Sequence, residues 1–268
     1  MESTDQMNNT IDLGSTAPQR IISLVPSQTE FLYDLGLSDE VVGITKFCVH
    51  PKQWFKNKTR VGGTKKIKKD VIHSLEPDLI IGNKEENTRD DIEYLQQYYP
   101  VWMSDIVTVE DALDMMIELG RVTHKEKIAE DWIKRIKEEK NNIGQISPRP
   151  HVGYYIWRNP WMAVGKNTYI HEFLESCGFQ NAFSEFNRYP EMPIEKLKNR
   201  KLDFIFLSSE PFPFKEKHIT ELQALLPDTQ IKLVDGEMFS WYGSRMKKGF
   251  RYVGKLVEEC EKEIENFK

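Results

Sequence analysis

Hydrophobic positions in this chain fall into short continuous runs, separated by longer stretches in which they recur at helical spacing. Arg20–Val25 (RIISLV) is the first run, closed by Pro26 and Ser27. QTEFLYDLG follows, a helix with Ser27 and Glu30 placed as a capping box and Gly36 as its stop. Further runs are Val41–Thr45, Val61–Thr64, Leu79–Gly82 and VWMSD after Pro100. Helical patterns intervene at Asp90–Tyr99 and Val109–Leu119, the latter capped by Thr108 and stopped by Gly120. Short apolar runs alternating with amphipathic helices predict a parallel sheet covered on both faces.

A long charged helix then spans Thr123–Ile143, with Ile128, Ala129, Trp132, Ile133, Ile136 and Ile143 on one stripe. Thr123 and Glu126 have capping-box spacing, Glu130→Lys134 and Asp131→Arg135 are favourable pairs one turn apart, and Gly144 ends the helix. Such a rod is roughly 30 Å long. Beyond it the plan resumes: strands at His151–Trp157, Asp203–Ser209 and Ile231–Asp235, helices at Asn167–Cys177 and Lys248–Phe267. Asp70 and Glu195, Asp78 and Asp203, and Glu85 and Glu210 are each 125 residues apart in matched helix–Asp–strand–Glu patterns. The fold class expected is therefore α/β: two Rossmann-like lobes joined by one long backbone helix, with a ligand cleft between them. The boundaries are a flexible tail at 1–19, an N-terminal lobe at 20–120, the helix at 121–147 and a C-terminal lobe at 148–268.

Composition narrows the function. At 268 residues, 39% hydrophobic and 29% charged, the chain suits two ordinary globular lobes. A net charge of −5 gives no reason to expect nucleic acid. Cys48, Cys177 and Cys260 have no framework spacing, so no disulfide scaffold is implied. The polar N-terminus has neither a basic n-region nor an apolar h-region, so the chain as written carries no export signal, and no run reaches membrane-span length.

Candidate chemistry lies where ligands bind in such folds, at the carboxyl ends of the strands. In the first half these loops carry Ser27, Gln28, Lys46, Phe47, His50, Trp54, Gly63, Lys84, Glu85 and Asn87. In the second they carry Trp157, Arg158, Trp161, Glu210, Phe212, Phe239, Trp241 and Arg245. Flat apolar faces interleaved with a few charges suit a bulky planar or macrocyclic ligand bearing anionic groups. Cys48-x-His50 is the sharpest metal candidate, since alternate residues of an extended chain point the same way, but no motif supplies the remaining ligands. The same pair could form a thiol nucleophile and base, although no orienting third residue stands out. Nucleophile elbow, phosphate loop and dinucleotide fingerprint are all absent.

The segments RIISLVPSQTE, VVGITKFCVHP, VGGTKKIKKDVIHSLEPDLIIGNKEEN, RYPEMPIEKL, DFIFLSSEPFPF and DGEMFSWYG, with the central helix, resemble the cobalamin, haem and ferric-siderophore class of ABC-transporter substrate-binding proteins, the helical-backbone metal receptor family. The resemblance implies a monomeric, non-enzymatic protein with no tightly bound cofactor. It would capture a metal chelate (cobalamin, haem or ferric siderophore) for an importer of the cell envelope. It also implies docking on a permease through one acidic residue per lobe, which match Asp70 and Glu195 here. Aspartate at the first position and the neighbouring Lys65, Lys66, Lys68 and Lys69 depart from the family pattern. Two other readings share the fold: a cytoplasmic chelate sensor or carrier without a permease, and a metal-dependent enzyme using the same cleft.

Overall fold

The apolar runs become the strands of two parallel sheets, one in each of two units. The computed structural model describes residues 2–197 and 200–266. Unit 1 extends to Ile106 and takes in Glu110–Arg135 and Trp241–Arg245; unit 2 comprises Val107–Val109, Ile136–Ser240 and the chain from Met246.

Unit 1 opens with a hairpin, β1 (Glu2–Thr4) and β2 (Thr10–Asp12). Its main sheet holds β3 (Ile21–Ser23), β4 (Val41–Ile44), β5 (Thr59–Arg60), β6 (Leu79–Asn83) and β7 (Val101–Ser104), all parallel, in the order β5-β4-β3-β6-β7. The intervening helices are α1 (Pro26–Asp34), α2 (Lys52–Asn57), α3 (Lys69–Ser74), α4 (Arg89–Gln96) and α5 (Val109–Val122). Every residue of β3, β6 and β7 is buried, which is why they read as continuous apolar runs instead of alternating ones.

Local expectations shift in several places. The polar stretch read as a flexible tail contains the β1–β2 hairpin. The buried Asp5 carboxylate accepts the N–H groups of Met7 (2.9 Å), Asn9 (2.7 Å) and Met103 (3.2 Å), fastening the hairpin to β7. Helix α1 starts at Pro26, the favoured first helical position, so Ser27 lies inside the first turn and makes no cap. Val61–Thr64, which the sequence offers as a short strand or a turn, is the turn: the strand is Thr59–Arg60, and Gly62 (φ +113°) and Gly63 turn the chain, with the Gly63 N–H donating to Lys66 O at 2.8 Å. Helix α5 runs through Gly120, where a Cβ would lie 2.6 Å from that of Ala129; the glycine permits a close crossing with the next helix and is not a stop. The Thr123 hydroxyl donates back to Leu119 O (2.6 Å) and does not cap. The long rod is therefore α6 (Glu126–Asn141), entered after His124 in a left-handed conformation (φ 55°). Ala129, Ile133 and Ile136 are its buried stripe, and it passes from unit 1 into unit 2 after Arg135.

Unit 2 contains β8 (His151–Trp157), β9 (Met162–Ala163), α7 (Tyr169–Ser176), β10 (Gln180–Asn181), β11 (Phe204–Ser208), α8 (Glu216–Leu225), β12 (Gln230–Val234), α9 (Glu237–Ser240) and α10 (Met246–Asn266). Its parallel strands follow the order β10-β8-β11-β12, with β9 antiparallel to β8. Phe267, expected to end the last helix, lies outside the described residues. The core is aromatic: Phe173 stacks on Phe250 at 4.6 Å, and Phe239 packs among Tyr154, Phe173, Phe206 and Tyr252.

The 125-residue offset has a structural basis. The Asp78 carboxylate, just before β6, accepts the N–H groups of Gln19 (2.7 Å) and Arg20 (2.8 Å) at the start of neighbouring β3. Asp203, just before β11, accepts the His151 N–H (2.7 Å) at the start of neighbouring β8. In each unit the same carboxylate fixes the register of the same strand pair.

Candidate ligand-binding loops

In unit 1 the loop after β4 presents Phe47, 49% exposed, with Lys46 Nζ 4.9 Å from its ring centroid. A Cβ on Gly63 would approach the Phe47 ring to 3.2 Å, so the missing side chain lets this aromatic lie against the neighbouring loop. Lys84 and Glu85 are exposed beyond β6, where Lys84 pairs with Asp105 at 2.5 Å and Lys65 Nζ donates to Glu85 O. His50 meets Trp241 edge-on at 5.5 Å, and the Arg245 guanidinium lies 4.7 Å from the Trp241 centroid.

In unit 2 the loops after β8 and β11 share an aromatic cluster. Trp157, 39% exposed, packs edge-on against Phe212 at 5.8 Å, and Trp161 stacks on Phe214 at 5.7 Å. Arg158 lies 5.5 Å from the Trp161 centroid and pairs with Glu221 at 2.5 Å. His218 fits between Phe212 and Phe214, with Nδ1 accepting the Lys215 N–H at 2.9 Å. Burial, then the Arg158 charge, holds its imidazole pKa below the usual value, so the cluster is packed by a neutral ring. Beside it opens a pocket of about 590 Å³, lined by Ser209, Glu210, Phe214, Leu233, Val234, Asp235 and Glu237. Glu210 accepts the Ser240 hydroxyl there at 2.8 Å.

Residues 21–228 match the model of the family described as periplasmic binding protein. The chain belongs to that family. Among its relatives, a vitamin B12-binding protein of Vibrio campbellii is 28% identical over 199 residues, covering 71% of this chain and 70% of the relative. The crystal structure of the periplasmic vitamin B12-binding protein of Vibrio cholerae superposes with a TM-score of 0.76 at 21% identity, covering 91% of this chain and 98% of that one. The periplasmic heme-binding protein of Roseiflexus gives 0.77 at 17% identity, covering 91% and 99%. The two-lobe α/β architecture is thus that of the periplasmic binding proteins.

Against this fold, several residues singled out in the sequence change role. Phe239 is wholly enclosed in the unit 2 core and cannot meet a ligand. Trp54, 2% exposed, packs edge-on against Tyr33. Gln28 donates to Ser104 Oγ (2.6 Å) beneath the β6 and β7 ends, and Asn87 ties Asn83 N to Thr64 O. Ser27 is buried beside Tyr242. All four build the loops from below. The Cys48–His50 metal pair is not formed: Cys48 Sγ is buried between Thr29 Oγ1 (3.1 Å) and Thr45 Oγ1 (3.2 Å), while His50 faces Trp241. Burial pushes the thiol pKa up, which argues against a nucleophile or metal thiolate. Among the described residues no cluster of three His, Cys, Asp or Glu side chains could hold a metal ion. The Glu30–Arg245 and Asp34–Ser244 contacts had no sequence signal, since a side-chain contact spanning some two hundred residues leaves no local pattern.

Asp70 and Glu195 are both exposed, each in the first turn of a helical segment. Two of the lysines near Asp70 are engaged elsewhere: Lys65 with Glu85 O, and Lys69 over the Tyr94 ring (3.7 Å) and toward Asp91 (4.0 Å).

Proposed function

We infer that the protein is the substrate-binding component of an ABC-type importer, and that it captures a metal chelate such as a corrinoid, haem or ferric siderophore. The observation carrying this reading is the set of exposed and half-buried aromatic rings on strand-end loops: Phe47 and the Trp241–His50 pair in unit 1, Trp157–Phe212 and Trp161 in unit 2, with Trp161 seated on the buried Phe214. Ring faces with a few fixed charges bind a large planar ligand without covalent chemistry. Family membership and the vitamin B12-binding relative support the same reading. The ligand is cargo, and the protein acts by binding and release with no catalytic step.

In this reading Phe47, Lys46, His50, Gly63, Lys84, Glu85 and Trp241 are the ligand contacts that unit 1 supplies. Trp157, Arg158, Trp161, Glu210 and Phe212 are those of unit 2, and α6 is the connector. Asp70 and Glu195 dock on basic groups of the permease. Of the lysines near Asp70, Lys69 lies over the Tyr94 ring and toward Asp91, and Lys65 reaches Glu85 O.

Native mass spectrometry of the purified protein tests the proposal, together with titration of tryptophan fluorescence by hydroxocobalamin, haemin and a ferric hydroxamate. A co-purifying chelate, or saturable quenching by one probe at micromolar protein, is the expected result. No bound mass and no quenching by any of the three would overturn it.

A further inference from the structure

Trp241–Arg245 follows α9 in the chain yet packs in unit 1. Its attachment there is unusually complete. Arg245 makes a bidentate ion pair with Glu30 of α1, Nε to Oε2 at 2.6 Å and Nη2 to Oε1 at 3.0 Å, with only 4% and 8% of the two side chains exposed. The Ser244 hydroxyl donates to the Asp34 carboxylate, one turn further along α1. Tyr242 is buried beside Ser27 and Ser104, and burial pushes its phenol pKa up. Gly243 (φ +79°) crosses α1 so closely that a Cβ would sit 3.2 Å from that of Phe31. The segment's one partly exposed residue is Trp241, in contact with the Arg245 guanidinium and the His50 ring.

A buried ion pair contributes little net stability, because desolvation offsets most of its attraction. It does fix geometry: a planar guanidinium held by two hydrogen bonds has one orientation, and a ring stacked on it inherits that orientation. We propose that Glu30 and Arg245 are positioning residues whose ion pair sets Trp241 against His50 and so pre-forms the aromatic wall of unit 1. This rests on the chelate-binding reading for its purpose, but the positioning itself does not depend on it. Arg245 then acts through Trp241, its charge matched by Glu30, and the contact offered to the ligand is a ring face and not a cation for an anionic group.

The test uses the full chain and the Glu30→Met/Arg245→Met double variant, which strands no buried charge; far-UV circular dichroism checks its fold. The near-UV spectrum of Trp241 is obtained by subtracting that of Trp241→Phe. The double variant should lose this band. Its affinity for whichever of hydroxocobalamin, haemin and ferric hydroxamate binds should fall by about tenfold, equally at low and high salt. In a Trp241→Phe background the same double substitution should cost no further affinity. A retained Trp241 band, affinity losses that add, or a loss that shrinks at high salt would each overturn the proposal. If no probe binds, the near-UV band alone decides the positioning, and the chelate reading fails separately.

Discussion

Phe239 offers the sharpest separation of folding from binding. It stands in a strand-end segment, GEMFSWYG, where the sequence suggests ligand contact, yet none of its surface is exposed. Its ring centroid lies 5.1 Å from Tyr154, 6.0 Å from Phe173, 6.2 Å from Tyr252 and 6.3 Å from Phe206. Phe239→Ala removes a fully buried ring and leaves a cavity walled by four other aromatics that cannot collapse together. The expected loss is about 3–5 kcal/mol, near the upper end because the ring-edge contacts go as well. For a chain of this size that lowers the melting temperature by about 5–9 °C. Phe239→Leu, which keeps most of the volume, should cost under about 1.5 kcal/mol. Scanning calorimetry gives the stability, and chelate titration well below the transition gives the affinity of the folded fraction. Affinity should be unchanged in both variants. A Phe239→Ala protein that melts like the wild type, or binds more than tenfold weaker while fully folded, refutes the assignment.

Gly120→Ala should open the α5–α6 crossing and destabilise the fold by about 1–3 kcal/mol. Gly144→Ala, with no atom within 4 Å of the added carbon, should be neutral or stabilising by about 0.4–1 kcal/mol; urea melts compare the two. Burial pushes the Cys177 and Cys260 thiols up to about 12. Below pH 9 they are protonated folded or unfolded. Between pH 9 and 12 only the unfolded chain ionises, so stability should fall as pH rises, by up to about 1.4 kcal/mol per pH unit for each thiol. Urea midpoints for wild type and Cys177→Ala check this, and an unchanged slope in the variant counts against it. All three cysteines should resist a thiol reagent until the protein is unfolded. Asp70→Lys and Glu195→Lys should leave chelate affinity unaltered and reduce uptake through the permease; transport assays in reconstituted vesicles decide.

Much of the site was legible only as a neighbourhood. Strand ends are marked by apolar runs meeting Pro, Gly and Asn, so the loops bearing Phe47, His50, Trp157 and Phe212 could be found by periodicity. Which of their side chains face outward could not. Trp54 and Phe239 have the same composition signal as Phe47 and Trp157, and differ only in what the rest of the chain lays over them. Cys48 and His50 look like a pair because alternate residues share a side in extended chain, but after β4 the backbone turns and separates them.

The sequence by itself determined the alternation of strand and helix, the two related halves and the aspartates that anchor their strand pairs. These are local or periodic properties, set by backbone hydrogen bonding and by which positions must be apolar. Tertiary structure alone decided that Trp241–Arg245 belongs to unit 1, that Glu30 meets Arg245 across 215 positions, and that Gly120 is a crossing and not a stop. Those depend on which surfaces pack together, and neither a close approach nor a buried charge pair leaves a local pattern in the chain that makes it.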